Sequence, residues 1–282
     1  MKNIYPLLLI LSITINVQAQ ENALLWQVTG KDLKQPSFLF GTIHMICPED
    51  FSISDSIRST FNRTGKLYLE IDMDDASLMI KTVQLSMLKQ GSIRDLMNSE
   101  SYTRLERFMK DTIGMPMIMV NRMKPFTLLS LLYSKILPCR KPESYEQRLL
   151  EMAKKQNMEV LGLEKLEDQF AVFDKIPDTT EISMIMEMID NYEIQRTEFT
   201  KMVLLYSHKD LNGLANMINA SPDMAGFEDI LLINRNRNWI PVMEKAMAAQ
   251  PPFFAVGAGH LPGENGVIGL LKKSGYTITP VD

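Results

Sequence analysis

The sequence predicts an α/β protein, mixed α+β in its element order. A central mixed β-sheet is flanked by helices, and a helix-rich insertion occupies the middle of the chain. Three observations carry this expectation. A turn-rich stretch, Thr29 to Pro36, joins two apolar strand-like runs near the start. Further short apolar runs alternate with helical patterns along the chain. The strand-like runs gather toward the two ends, whereas the stretch from Ser77 to Lys155 reads almost wholly as helix.

Taken in order, residues 24–28 and 37–43 form the expected hairpin. Residues 54–61 read as a short helix that Gly65 follows, and residues 66–72 as a strand. Helices are expected over 77–89, 101–110 and 126–137, interrupted near Gly114-Met115-Pro116 and Lys124-Pro125. Ser144 and Gln147 make a capping box for a helix reaching about Lys155. Residues 159–163 form a strand that ends at Glu164. Asp178 and Glu181 open a long helix over 178–206, and another helix covers 227–247 until Pro251-Pro252 stops the chain. A strand over 253–256, a helix over 264–273 and a strand over 276–279 complete the pattern, with Gly275 between the last two.

The first residues stand outside this fold. Met1-Lys2 precedes an apolar run that ends in Val17-Gln18-Ala19, which reads as a secretory signal peptide over residues 1–19. Its apolar core is shorter than the roughly 20 residues that span a bilayer. The expectation is therefore one domain over residues 20–282, exported to the periplasm or the extracellular space. No stable membrane anchor is expected after cleavage. A formal charge of −4 and no basic stripe argue against a nucleic-acid partner. Export permits disulfides. Cys47 and Cys139 are open to pairing, but Cys47 also reads as a buried apolar thiol or a soft metal ligand. The 21 methionines suit an irregular core or a groove for an apolar substrate.

Only three histidines occur in 282 residues, and two share one context. Gly41-Thr42-Ile43-His44 and Gly257-Ala258-Gly259-His260 each follow an apolar strand. The glycines would let the chain turn sharply and approach a shared pocket, and neutral imidazole is a common ligand for divalent metals. Glu70 and Asp72 sit at a strand end, where an α/β sheet usually opens its ligand crevice. Glu164 ends the next strand and reads as a further ligand or a general base, with Gln169 as its support. Arg235 and Asn236 suit contact with a substrate carboxylate or an oxyanion, or for the arginine a structural ion pair. Glu264 reads as a helix-capping residue and His208 as solvent-facing. Two histidines and a carboxylate with open positions would let a bound divalent ion activate water.

The ordered motifs resemble the TraB/GumN family, which includes the TIKI-type proteases. Phe40 to His44 resembles its opening signature, Leu69-Glu70-Ile71-Asp72 its acidic strand, and Gly162-Leu163-Glu164 with Gln169 its middle motif. Arg235-Asn236, then Gly257 to Gly263 with Gly275-Tyr276, resemble its later motifs. The resemblance implies a metal-dependent hydrolase acting on peptides or proteins, with His44, His260 and Glu70 catalytic and Gly41, Gly257 and Gly259 shaping loops. Mn²⁺, Co²⁺ or Zn²⁺ is the expected cofactor. The family is similar in fold to erythromycin-esterase-like and ChaN-like proteins, which host several activities. The alternative class is a non-catalytic envelope protein that binds a metal or haem.

Overall fold

The computed structural model describes residues 22–221 and 226–281. The expected signal peptide, residues 1–19, lies outside the described residues. The fold is mixed α/β, as the patterning predicts. Its six strands are β1 (Leu25–Gly30), β2 (Ser37–Thr42), β3 (Lys66–Leu69), β4 (Glu159–Gly162), β5 (Pro252–Gly257) and β6 (Tyr276–Pro280). They form one sheet in the order β4-β3-β5-β2-β1-β6. The four strands β4, β3, β5 and β2 run parallel. The β1–β2 hairpin and β6 add an antiparallel edge.

The helices are α1 (Asp55–Phe61), α2 (Leu78–Ser86), α3 (Ser99–Phe108), α4 (Pro125–Tyr133), α5 (Tyr145–Lys155) and α6 (Leu166–Phe173). They continue with α7 (Asp178–Asp190), α8 (Tyr192–Ser207), α9 (Leu211–Ala220), α10 (Asn234–Ala249) and α11 (Val267–Lys273). The capping box works at α5, where Ser144 Oγ accepts from Gln147 N at 3.3 Å. Pro125 begins α4, where its missing N–H costs no helical bond.

Two hydrophobic clusters divide the work. One surrounds the sheet: every residue of β2 is buried, and Phe38, Leu39, Phe253 and Phe254 are almost fully so. Such two-sided burial explains why β2 and β5 read as continuous apolar runs rather than alternating ones. The other cluster holds the helix-rich insertion together, with Leu105, Leu128, Leu132 and Ile185 at its centre. Met109, Met117, Met184 and Met188 pack there too, so these methionines are core filler. Met79 and Met119 are exposed.

Several elements depart from expectation. The helix expected over 178–206 breaks at Asn191, although neither proline nor glycine marks the place. Its first half buries Met184, Ile185 and Met188 in the insertion cluster, and its second half buries Val203 and Tyr206 against the sheet cluster. One straight helix cannot face both. The helix expected over 227–247 opens with a wide π-helical turn, Asp229–Ile233, before α10. The strand expected over 66–72 stops at Leu69. Helices α6 and α9 carry no separate expectation.

Cys47 and Cys139 form a disulfide, with Cα atoms 5.7 Å apart. This excludes both the free thiol and the metal ligand as roles for Cys47. Beside it, Ile46 and Glu143 exchange two backbone hydrogen bonds of 3.1 and 2.8 Å. The bond thus ties the loop after β2 to the segment leading into α5.

Candidate active site at the ends of the parallel strands

The carboxyl ends of β2, β3, β4 and β5 deliver His44, Glu70, Glu164 and His260 to one crevice, as parallel α/β sheets do. Glu70 and Glu164 are neighbours because the ladder runs on past the strands. Leu163 N donates to Leu69 O, and Glu164 N to Glu70 O, each at 2.9 Å. Asp72 lies outside this crevice. Its Oδ1 accepts from Asp74 N at 3.2 Å and closes a local turn, because the strand has already ended.

Arg235 is the hub. It follows the π-helical turn, a feature frequent at functional sites. Its Nη2 donates to Glu70 Oε2 and to Glu164 Oε1, both at 2.6 Å. Its Nη1 donates to His260 Nε2 at 3.2 Å. Gln169 Nε2 spans the same two carboxylates at 3.3 and 3.2 Å. Trp239, one helical turn beyond Arg235, donates Nε1–H to Glu164 Oε2 at 3.1 Å and packs its ring 4.5 Å from that of His260.

The glycines act through space rather than through special backbone angles. Neither Gly41 nor Gly257 has a positive φ. A Cβ on Gly257 would stand 3.2 Å from Glu70 Oε1, 3.6 Å from His260 Cδ2 and 4.0 Å from His44 Nε2. All three expected ligands therefore meet around one missing methyl group. A Cβ on Gly41 would stand 3.2 Å from Ala258 Cα, so the two Gly-x-x-His segments press together. Gly259 makes room for Ile218.

Both imidazoles are gripped through Nδ1. His260 Nδ1 lies 2.6 Å from Asn236 Oδ1, and His44 Nδ1 lies 2.8 Å from Glu146 Oε1. An amide oxygen or a carboxylate only accepts there, so each Nδ1 carries the proton. Glu146 is held in turn by Thr42 Oγ1 at 2.6 Å and Ser144 Oγ at 2.9 Å. Neither Glu146 nor Trp239 stood out in the sequence. A glutamate in the first turn of a helix reads as a response to the helix dipole, and an apolar-face tryptophan reads as core.

Electrostatics separates the two histidines. Burial lowers His260 to about 4 against the pull of Glu70, and the charges of Arg235 and His44 add to the lowering, so it is neutral at neutral pH. His44 opens its side chain to solvent. Partial desolvation opposes its charge, but the hydrogen bond and charge of Glu146, then Glu70, raise its pKa above the usual range. Burial also opposes ionisation of Glu70, yet His260, Arg235, His44 and the Gly257 N–H hold it at about 2. Glu146 is likewise lowered: burial opposes its charge, and bonding to His44 overcomes that.

The family-level comparison matches residues 24–280 to the TraB/PrgY/gumN family. The chain belongs to that family. Among curated proteins, it is 24% identical to human Metalloprotease TIKI1 over 93% of this chain and 62% of that protein. It is 22% identical to zebrafish (Danio rerio) Metalloprotease TIKI2, covering 93% of this chain and 61% of that protein. It is also 22% identical to the Metalloprotease TIKI homolog of Amphimedon queenslandica, covering 92% and 62%. The chain thus spans about three fifths of the length of the curated relatives it matches. No solved structure matches it significantly.

The donor chemistry of this TraB/PrgY/gumN site fits a divalent cation in composition. When neutral, each imidazole has a bare Nε2, and the outer partner on Nδ1 is the usual accompaniment of a metal-binding histidine. Spacing is another matter. Among the described residues, no three His, Cys, Asp or Glu side chains stand ready as a metal cage. His260 Nε2 is 3.9 Å from Glu70 Oε1, and Arg235 holds both residues. A cation taking His260 Nε2 must first displace Arg235 Nη1.

The remaining expectations are minor. Glu264 is exposed and lies three residues before α11, at 3.9 Å from Lys273. His208 is exposed at the end of α8.

Proposed function

We propose that this protein is an exported metal-dependent hydrolase that cleaves peptides or proteins. The observation that carries the reading is the meeting of His44, Glu70 and His260 around Gly257. The names of the TIKI relatives support a metallopeptidase activity. The disulfide supports an oxidising compartment, periplasmic or extracellular. No described helix is long and apolar enough to cross a membrane.

His44, Glu70 and His260 would hold Mn²⁺, Co²⁺ or Zn²⁺. Such an ion supplies an acidified water and polarises a scissile carbonyl. The protein's own residues do the rest. Asn236 and Glu146 fix the ring orientation of the histidines. Glu70 stays ionised at every working pH. Glu164 lies in contact with Arg235, Gln169 and Trp239 and has the role of base or further ligand. Arg235, once released from His260, is placed to meet a developing oxyanion. Trp239 and the walls of β5 exclude water from the buried side.

The test is metal content and peptide-library turnover of the protein beside a His44→Ala/His260→Ala double variant. Stoichiometric metal and cleavage in the parent, both lost in the variant, are expected. Turnover that survives complete chelation would remove the metal from the reading while leaving a hydrolase. No metal and no turnover after loading with Mn²⁺, Co²⁺ or Zn²⁺ would sink it.

A further inference from the structure

A second cavity, of about 240 Å³, opens between the start of α4, the end of α6 and the start of α7. Its walls are aromatic. Phe126 and Phe173 stack with centroids 3.7 Å apart and planes 14° from parallel, and Phe170 lies beside them. Three acids, Asp174, Asp178 and Glu181, face two lysines, Lys89 and Lys124, so the lining keeps one net negative charge when all are ionised. Glu181 is 3% exposed. Its Oε2 accepts from Phe126 N at 3.1 Å, whereas its Oε1 makes no hydrogen bond among the described residues.

The cavity already treats one ammonium in a telling way. Lys124 Nζ sits 2.5 Å from Asp174 Oδ1 and 5.9 Å from the Phe170 ring centre. Carboxylate and aromatic face thus share one cation, as in cation–π recognition. That pairing uses Asp174. Among the described residues, no cation stands within 4 Å of Asp178 or Glu181. Burial, followed by the repulsion of Asp178 and Asp174, raises Glu181 to about 7 even though Phe126 N and Lys124 oppose the shift. A carboxyl group so placed gains from any positive charge brought into the cavity.

The cavity and the crevice described above share helix α6. Gln169 touches Glu70 and Glu164, and Phe173 lies four residues on along α6. Residues four apart share a helix face, here one turn or about 6 Å further along. A chain lying across the crevice would therefore reach the cavity with a side chain close to the reacting bond.

We propose that this cavity is a subsite for a cationic side chain, lysyl or arginyl, of the polypeptide bound at the His44–Glu70–His260 crevice. The subsite rests on the peptidase reading for its substrate, but its binding chemistry is separable from turnover. The flat phenyl wall takes the aliphatic stem and the face of the cation. Glu181 Oε1 and Asp178 supply the counter-charge.

The experiment compares blocked pentapeptides that differ only at the central residue: lysine, arginine or norleucine. Calorimetric titration reads binding, and a parallel assay reads cleavage. Lysine and arginine peptides are expected to bind at least about tenfold more tightly than norleucine. Glu181→Gln and, separately, Asp178→Asn are each expected to reduce that preference about fivefold, leaving norleucine binding unchanged. Asp178 is exposed at the start of α7, so its variant keeps the test valid if Glu181→Gln fails to fold. Equal binding of all three peptides, or no binding by any, overturns the subsite. So does a preference that persists in both variants. Cleavage without cationic preference would overturn the subsite and leave the hydrolase standing, whereas selective binding without cleavage would support the subsite and count against the peptidase.

Discussion

At the scale of single residues, Gly257 carries the sharpest consequence. Its φ of −50° and ψ of 133° suit any L residue, so alanine brings no backbone strain. The added methyl group would instead press on Glu70 Oε1. Gly257→Ala is expected to keep Tm within about 3 °C of the parent and to lower kcat by about tenfold or more. A variant with full activity would show that the three side chains need not meet there. Glu146 offers a second test. Glu146→Gln keeps an acceptor for His44 Nδ1 but removes the charge that raises the imidazole's pKa. Titration of His44 by NMR should then fall toward the ordinary histidine range. An unchanged titration would mean that Glu146 does not govern His44.

At the scale of elements, the disulfide and the ladder bonds beside it unite two distant segments that each carry half of the His44–Glu146 pair. Cys47 lies three residues after His44, and Cys139 lies seven before Glu146. The bridge closes a loop of 92 residues, for which about 2–4 kcal/mol of stabilisation is typical. The Cys47→Ala/Cys139→Ala variant should melt roughly 5–15 °C lower. Reducing agent should lower the parent's Tm by a similar amount and leave the variant's unchanged. A parent indifferent to reductant would show that the bond does not form. The elements also show where local patterning is sufficient. The capping box at Ser144, the proline at the start of α4 and the apolar runs of β2 and β5 are local signals, and the chain obeys them. The break at Asn191 has no local signal, because it arises from two cores pulling successive helical turns in different directions.

At the scale of the whole molecule, stability should depend on pH in part through Glu181. Its native pKa of about 7 lies above the ordinary 4.5. Between these values the native state holds a proton that the unfolded state gives up. The stabilisation is therefore complete below about pH 4.5 and is lost as pH rises through 7. In urea melts at pH 5 and pH 8, the parent should lose about 1–2 kcal/mol more than Glu181→Gln over that interval. Identical losses would show that Glu181 titrates normally. If His44 holds the cation as proposed, metal loading would carry the opposite dependence. The proton on His44 must leave before Nε2 can bind a cation, so affinity should rise with pH until His44 has titrated.

What the sequence determined by itself was the set of parts: mixed α/β class, the two Gly-x-x-His segments, the acids at strand ends and the Arg235-Asn236 pair. These were legible because strands, turns and caps obey short-range rules, and because a matched pair of motifs stands out in a chain with three histidines. Tertiary structure alone decided how the parts meet. It joined Cys47 to Cys139, gave His44 the partner Glu146 from about a hundred residues away, and removed Asp72 from the crevice by ending β3 early. It also set Arg235 between Glu70, Glu164 and His260. Each of these depends on contacts between distant residues, and periodicity along a chain carries no record of which distant charges must share a buried space.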